Sequence, residues 1–225
     1  MYPFAPTAER VREIWLDTKN SVAGLVPPGG VQEGSIMAFL PLNNVSRNAR
    51  IKLSSNDEKA VTPLQQLLPQ MRLANLFAFG IGICRVPVSS GVDQWGNAEF
   101  TSDPYSALFT TGEQAALRHL FLSTLTFETN QTKRLDALHT SEFNIQTTEA
   151  SANSIKPRLL TASYILVGGE PNVIELMMPE VGDLAVLADS GTRKLFICVK
   201  AQVINVVPSS DAQKQQIAAK LRGGL

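Results

Sequence analysis

The 225-residue sequence has only two cysteines and two histidines. Cys84 and Cys198 each sit inside an apolar run, where a thiol packs as a small hydrophobe, and their spacing has no metal-ligand form. Two buried free thiols are therefore expected. His119 and His139 belong to no H-x-H or H-E-x-x-H pattern and no Cys-x-x-Cys is present, so a metal-dependent enzyme of the cupin type lacks its ligands. An excess of one charge is missing too, with 20 basic against 20 acidic side chains. Coating a nucleic acid requires surplus cations to neutralise phosphates, so strong direct nucleic-acid binding is not expected.

Long apolar runs are also absent. The two longest, around residues 73–88 and 158–167, are broken by Gly80, Gly82, Arg85 and Gly168, and neither gives the ~20 uninterrupted apolar residues that a transmembrane helix needs. The opening Met1-Tyr2-Pro3-Phe4 has neither a charged leader nor an apolar core, so no export signal is expected. No G-x-S-x-G elbow occurs, and Gly80-Ile81-Gly82-Ile83 lies within an apolar run instead of opening a helix. Glycines placed there mark a bulge or a close approach of backbones.

What is present reads as a β body with a helix at either end. Thr7 can cap a helix over residues 7–22, with Val11, Ile14, Trp15, Thr18 and Val22 at helical spacing. This helix either lies on its own core or forms an arm for a neighbouring subunit or a lipid surface. Pro27-Pro28-Gly29-Gly30 ends it, so residues 1–30 are an N-terminal arm and connector. Residues 31–208 change to a period near two, with candidate strands at 34–41, 48–53, 75–88, 119–129, 141–148, 159–167, 172–178, 184–188 and 194–207 and a short helix over 64–71. In the fourth of these, Phe121, Ser123, Leu125 and Phe127 share one face, which is predicted to be buried. The turns at Asn130-Gln131-Thr132 and at residues 168–172 read as reversals between antiparallel neighbours. Ser209-Ser210-Asp211 caps a last helix over 209–225, closed by Gly223-Gly224.

Residues 89–111 form a long connection with Trp95, Phe100, Tyr105 and Phe109 spaced along it, followed by a helical turn at 112–117. Its carboxylates, Asp93 with Glu99 or Asp103, could supply an acid and base pair for a hydrolase, while Trp95 and Tyr105 could serve as stacking platforms for a carbohydrate or receptor. Lys133-Arg134 and Arg193-Lys194 read as solvated turn residues.

A strand into an aromatic loop, then Gly112-Glu113-Gln114-Ala115-Ala116-Leu117, a strand near 121–128 and a reversal around 168–172 make the stretch from about residue 73 to 207 similar to jelly-roll coat proteins of icosahedral tailless bacteriophages, including membrane-containing ones. The resemblance implies a mainly β, antiparallel jelly-roll sandwich or barrel, single instead of double, with helical appendages at both ends. It further implies a virion capsid subunit that encloses a genome and has no catalytic, cofactor or metal residues. Such a subunit forms trimer or pentamer capsomers, contacts other virion proteins, and can meet an internal membrane through its terminal helices. The expected interface residues are Trp95, Phe100, Tyr105, Phe109, Val11, Ile14 and Trp15.

Overall fold

The computed structural model describes residues 7–44, 47–54, 62–130, 132–140, 155, 157–178 and 184–223. Ten strands and three α-helices occur among them: α1 (Ala8–Ser21), β1 (Val31–Pro41), β2 (Asn48–Lys52), β3 (Leu73–Ser89), β4 (Val92–Asp93), β5 (Glu99–Thr101), α2 (Thr111–Phe121), β6 (Thr124–Thr129), β7 (Thr132–His139), β8 (Arg158–Val167), β9 (Asn172–Met177), β10 (Arg193–Val206) and α3 (Asp211–Gly223). Two antiparallel sheets pack face to face. In the larger, β10 lies between β1 and β3, and β8, β5 and β4 follow one another along the far edge of β3. The smaller has the order β2-β9-β6-β7.

Leaving aside the short β4 and β5, the pairing is nested. The first long strand pairs with the last (β1 with β10), the second with the last but one (β2 with β9), the third with the last but two (β3 with β8), and the middle two with each other (β6 with β7). The turn at residues 168–172 therefore does not join neighbours in a sheet. It carries the chain from β8 in the large sheet to β9 in the small one. The turn is tight at its buried first residue: a Cβ on Gly168 would stand 1.9 Å from the Pro69 carbonyl oxygen, so a side chain has no room there.

The space between the sheets is filled by the inward faces of both. Phe79, Ile81 and Ile83 of β3, Ile197 and Val199 of β10, Leu125 and Phe127 of β6, and Ile174 and Leu176 of β9 are all buried there. β6 alternates as expected, with Leu125 and Phe127 inside and Thr124, Thr126 and Glu128 outside. On β3 the burial is continuous from Leu73 to Cys84, because the other face of the large sheet is covered as well. Two patches cover it. α1 and α3 place Ile14, Val22, Ile217 and Leu221 against Leu73, Phe77, Ile165 and Ile204. The connection after β4 places Trp95 and Phe100 against Phe39, Cys84, Phe196 and Cys198. Gly82 permits the second cover, since a Cβ there would lie 2.6 Å from the Thr101 carbonyl oxygen.

The terminal helices are pinned to the sandwich by polar contacts as well as by burial. Thr7 accepts from the Arg10 amide and begins α1 as expected. Asn75 of β3 donates to the Thr18 hydroxyl at 3.0 Å. The buried Lys214 of α3 donates to the carbonyls of Gln70 and Gly168, Gln213 to that of Leu25, and Arg222 pairs with Glu170. Both helices are thus part of the packed fold, the first of the two alternatives open for the N-terminal one.

Other expectations need correction. Residues 64–71 are not a helix: both backbone groups of Gln66 bond to Met37, and the Leu68 amide bonds to the Leu53 carbonyl. They form a strap that bonds to the outer edge of β1 at Met37 and to the chain just after β2 at Leu53 and Ser54. Residues 184–187 are a turn of 3₁₀ helix, not a strand. The strand expected at 119–129 begins only at Thr124, because α2 runs on to Phe121. The expected strand at 141–148 lies outside the described residues. β7 was not foreseen, and Lys133 and Arg134 lie on it instead of in a turn. Both cysteines are buried and free, as expected. Burial pushes the Cys84 thiol up to about 12, and it raises Cys198 well above its ordinary value, so both stay protonated and inert. No helix among the described residues is long and apolar enough to cross a membrane.

Candidate assembly surface

One end of the sandwich is built differently from the other. Here β1, β3 and β9 finish and β2, β6 and β10 begin, as the pairings Pro41 with Phe196, Pro87 with Arg193, and Met177 with both Asn48 and Thr124 show. α2 closes this end. Its Thr110-Thr111-Gly112-Glu113 start is a capping box: the Glu113 carboxylate accepts from the Thr110 amide at 2.7 Å, while the Thr110 hydroxyl accepts from the Glu113 amide. Ala116, Leu117, Leu120 and Phe121 then point into the core.

Glu113 does more than cap. Its other carboxylate oxygen pairs with Arg193, both side chains being almost buried, and the same guanidinium donates to the Val186 and Ala188 carbonyls. α2, the 184–187 turn and the start of β10 are thereby locked together, so Arg193 is a structural clamp and not the solvated turn residue expected. Burial alone would raise the Glu113 pKa, but the Thr110 amide and hydroxyl together with Arg193 outweigh it and hold the carboxyl below its ordinary value of 4.5.

The expected interface residues separate into two groups. Phe109 is buried in the main core, and Ile14 is buried under α1 with Val11 and Trp15 packed beside it. Trp95 packs against Phe196 at 5.3 Å between ring centroids, and Phe100 faces Phe39 at 6.4 Å. These side chains are largely spent inside the subunit, and Trp95 is not a free stacking platform. Tyr105 is the exception, 55% exposed, with Arg118 over its ring. It belongs to a group the sequence did not bring together: Val92 at the β3–β4 hairpin tip, Leu122 after α2, Met177 at the end of β9 and Val186 in the 3₁₀ turn are also exposed at this end. Among the described residues, only Leu16 and Met71 are large exposed hydrophobics elsewhere.

Several charged side chains at this end are held by partners within the chain. Asp93 pairs with Lys194 at 2.9 Å, Glu113 with Arg193, and Asp189 accepts from Asn43. The carboxylates considered as an acid and base pair go separate ways: Asp93 to Lys194, Glu99 to Arg85 at 2.7 Å, and Asp103 to the Tyr105 amide. No group of His, Cys, Asp and Glu able to hold a metal occurs among the described residues. What the arrangement offers, among the described residues, is an end surface with exposed apolar side chains beside two ion pairs. Such a surface can be buried against another protein surface at low desolvation cost. No protein-family model matches the chain, and no curated protein matches it.

Proposed function

We propose that this chain is a jelly-roll capsid subunit, one of many symmetric copies that close into an icosahedral shell around a genome. The observation that carries the reading is the nested strand pairing. A long antiparallel hairpin of eight strands, rolled so that alternate pairs fall in opposite sheets, is the jelly-roll arrangement, and the order β1-β10-β3-β8 facing β2-β9-β6-β7 supports reading the fold in that way. Jelly rolls also serve as lectins and cupins. The cupin use needs a histidine-rich ligand set, whereas the two histidines here lie on α2 and at the end of β7. For a structural subunit, the α2 end is the contact surface: Val92, Tyr105, Leu122, Met177 and Val186 supply apolar area beside the Asp93–Lys194 and Glu113–Arg193 pairs. The apolar faces of α1 and α3 are used within the subunit and are not needed for it.

Light scattering after size exclusion, followed by electron microscopy of the purified protein, tests this reading. Capsomers of defined symmetry, or closed particles, are the expected result. A monomer that persists at all concentrations overturns it. Tyr105→Ser combined with Val92→Ser should lower the assembled fraction while leaving the subunit folded.

A further inference from the structure

The exposed apolar side chains of the α2 end sit on segments that two adjacent residues hold. Successive side chains of a strand point to opposite faces, and β10 begins with Arg193 on the face of Leu195 and Ile197, which looks into the core, and Lys194 on the face of Phe196 and Cys198, which looks outward. Arg193 therefore reaches the segments that close the sandwich. Lys194 reaches the hairpin outside it, where it holds Asp93 beside Val92. The Arg193 guanidinium donates to the carbonyl of Val186 itself at 2.9 Å and to that of Ala188 at 3.0 Å, while it pairs with Glu113 in the first turn of α2. The next residue, Gln114, donates to the carbonyls of Tyr105, Ser106 and Phe109, and α2 is capped at its far end by Leu122. Val186, Tyr105 and Leu122 are thus tied together through one ion pair.

The two pairs differ in burial. The side chains of Glu113 and Arg193 are 9% and 14% exposed, those of Asp93 and Lys194 24% and 37%. Breaking the first has the larger consequence, since a buried cation left without its anion is costly, whereas water replaces the partner of an exposed one. Its sensitive member is the carboxylate. Charged groups on the described elements around Glu113 are Asp103 ahead of α2, Arg118 and His119 further along it, and Asp189, Arg193 and Lys194 at the start of β10. Of these, Arg193 is the one whose field acts on the carboxyl. Burial opposes the negative charge, but Thr110 and Arg193 outweigh it and hold the pKa below the ordinary 4.5. Once the carboxyl is protonated, the guanidinium has lost its anion and gains by turning to water, which takes its hydrogen bonds away from the Val186 and Ala188 carbonyls.

We propose that the Glu113–Arg193 pair is an acid-released latch on the contact surface. Closed, it holds Val186, Tyr105 and Leu122 in the arrangement that a neighbouring copy buries. Protonation of Glu113 frees residues 184–190 and the start of α2, so that assembled copies separate while the two sheets stay folded. The effect on neighbours rests on the assembly reading, whereas the opening within the subunit does not.

Amide hydrogen exchange of the dilute, unassembled full chain, corrected for the pH dependence of the intrinsic rates, and light scattering of the concentrated chain test the latch from neutral pH down to about pH 3. In the wild type, exchange over residues 184–190 and 103–115 should rise about tenfold or more through one midpoint below pH 4.5, with β3, β6 and β10 still protected. Assemblies should dissociate over the same range. Glu113→Gln should show the fast exchange already at neutral pH, lack the acid step, and need about tenfold more protein to reach half assembly, the equivalent of one charge-assisted contact. Asp103→Asn and Asp189→Asn, which remove other carboxylates at this end, should keep the step. The latch is overturned by loss of protection in these segments and the sheets together, by an acid step that survives Glu113→Gln or disappears in Asp103→Asn or Asp189→Asn, or by assemblies that persist after the step. A wild type that never assembles sinks the assembly reading instead, and the exchange step in the monomer still decides whether the pair opens as a latch.

Discussion

The two sheets have the same antiparallel chemistry and share one core, yet they differ in what covers their outer faces. Among the described residues the outer face of the small sheet is the more open, and β2 and β6 alternate: Ala49 and Ile51 are buried between exposed Asn48, Arg50 and Lys52. The large sheet is covered by α1, α3 and the aromatic connection, and β3 and β10 are buried on both sides along most of their lengths. The contrast shows that a continuous apolar run in an antiparallel strand signals a second covering layer, just as alternation signals its absence. It also explains why the terminal helices are not free arms. Without them Phe77, Ile165 and Ile204 would lie open.

Substitutions can sharpen this contrast. The largest effect is expected between the sheets, where Phe127→Ala should cost about 3–5 kcal/mol in denaturant unfolding. On the covered outer face, Ile217→Ala in α3 should cost about 2–4 kcal/mol, as for a core residue. A loss below about 0.5 kcal/mol, the surface value, would show that the helix covers nothing. Glu113→Gln should cost about 1–3 kcal/mol at neutral pH, because the buried Arg193 guanidinium loses its charged partner. Since the Glu113 pKa is lowered in the folded state, its contribution is complete above 4.5 and is lost as the pH falls through the lower folded value. The variant should therefore lose less stability than the wild type on acidification below pH 4.5, a difference that melting curves across that range can measure. The smallest effect is expected on the open face of the small sheet, where Arg50→Ala should change stability by no more than about 0.5 kcal/mol.

Elements specified by local chemistry were the most legible in the sequence. Thr7 and Ser210 mark helix starts that the structure reproduces, and the alternation through Leu125 and Phe127 marks β6. Elements decided by distant partners were not. Leu64, Leu67, Leu68 and Met71 have helical spacing, but the segment's hydrogen bonds go to Met37 and Leu53, which are far away in sequence. β7 carries Lys133, Arg134 and Asp136 and little apolar surface, as suits an edge strand, so its pattern was faint. The Thr110-x-x-Glu113 capping box was readable and would have extended the helical turn at 112–117 into α2. At the α2 end, Tyr105 stood out as an aromatic, but Val92, Leu122, Met177 and Val186 come from separate stretches of the chain that only the fold brings to one end. Trp95 and Phe100 were legible as anchors, though not the direction in which they anchor, because that depends on the uncovered face of a sheet formed by strands far apart in the chain.

The nested pairing also sets a timetable for folding. β10, the strand that joins β1 to β3, leaves the ribosome after both of them and after the other described strands. Until then β1 and β3 have no common neighbour, and the large sheet cannot form. Closing it requires Val31 to meet Val206 across nearly the whole chain, a non-local step of the kind that makes folding slow. A nascent or truncated chain ending before Arg193 would therefore display the apolar faces of β3 with nothing to cover them, which makes it a substrate for chaperones and prone to aggregation.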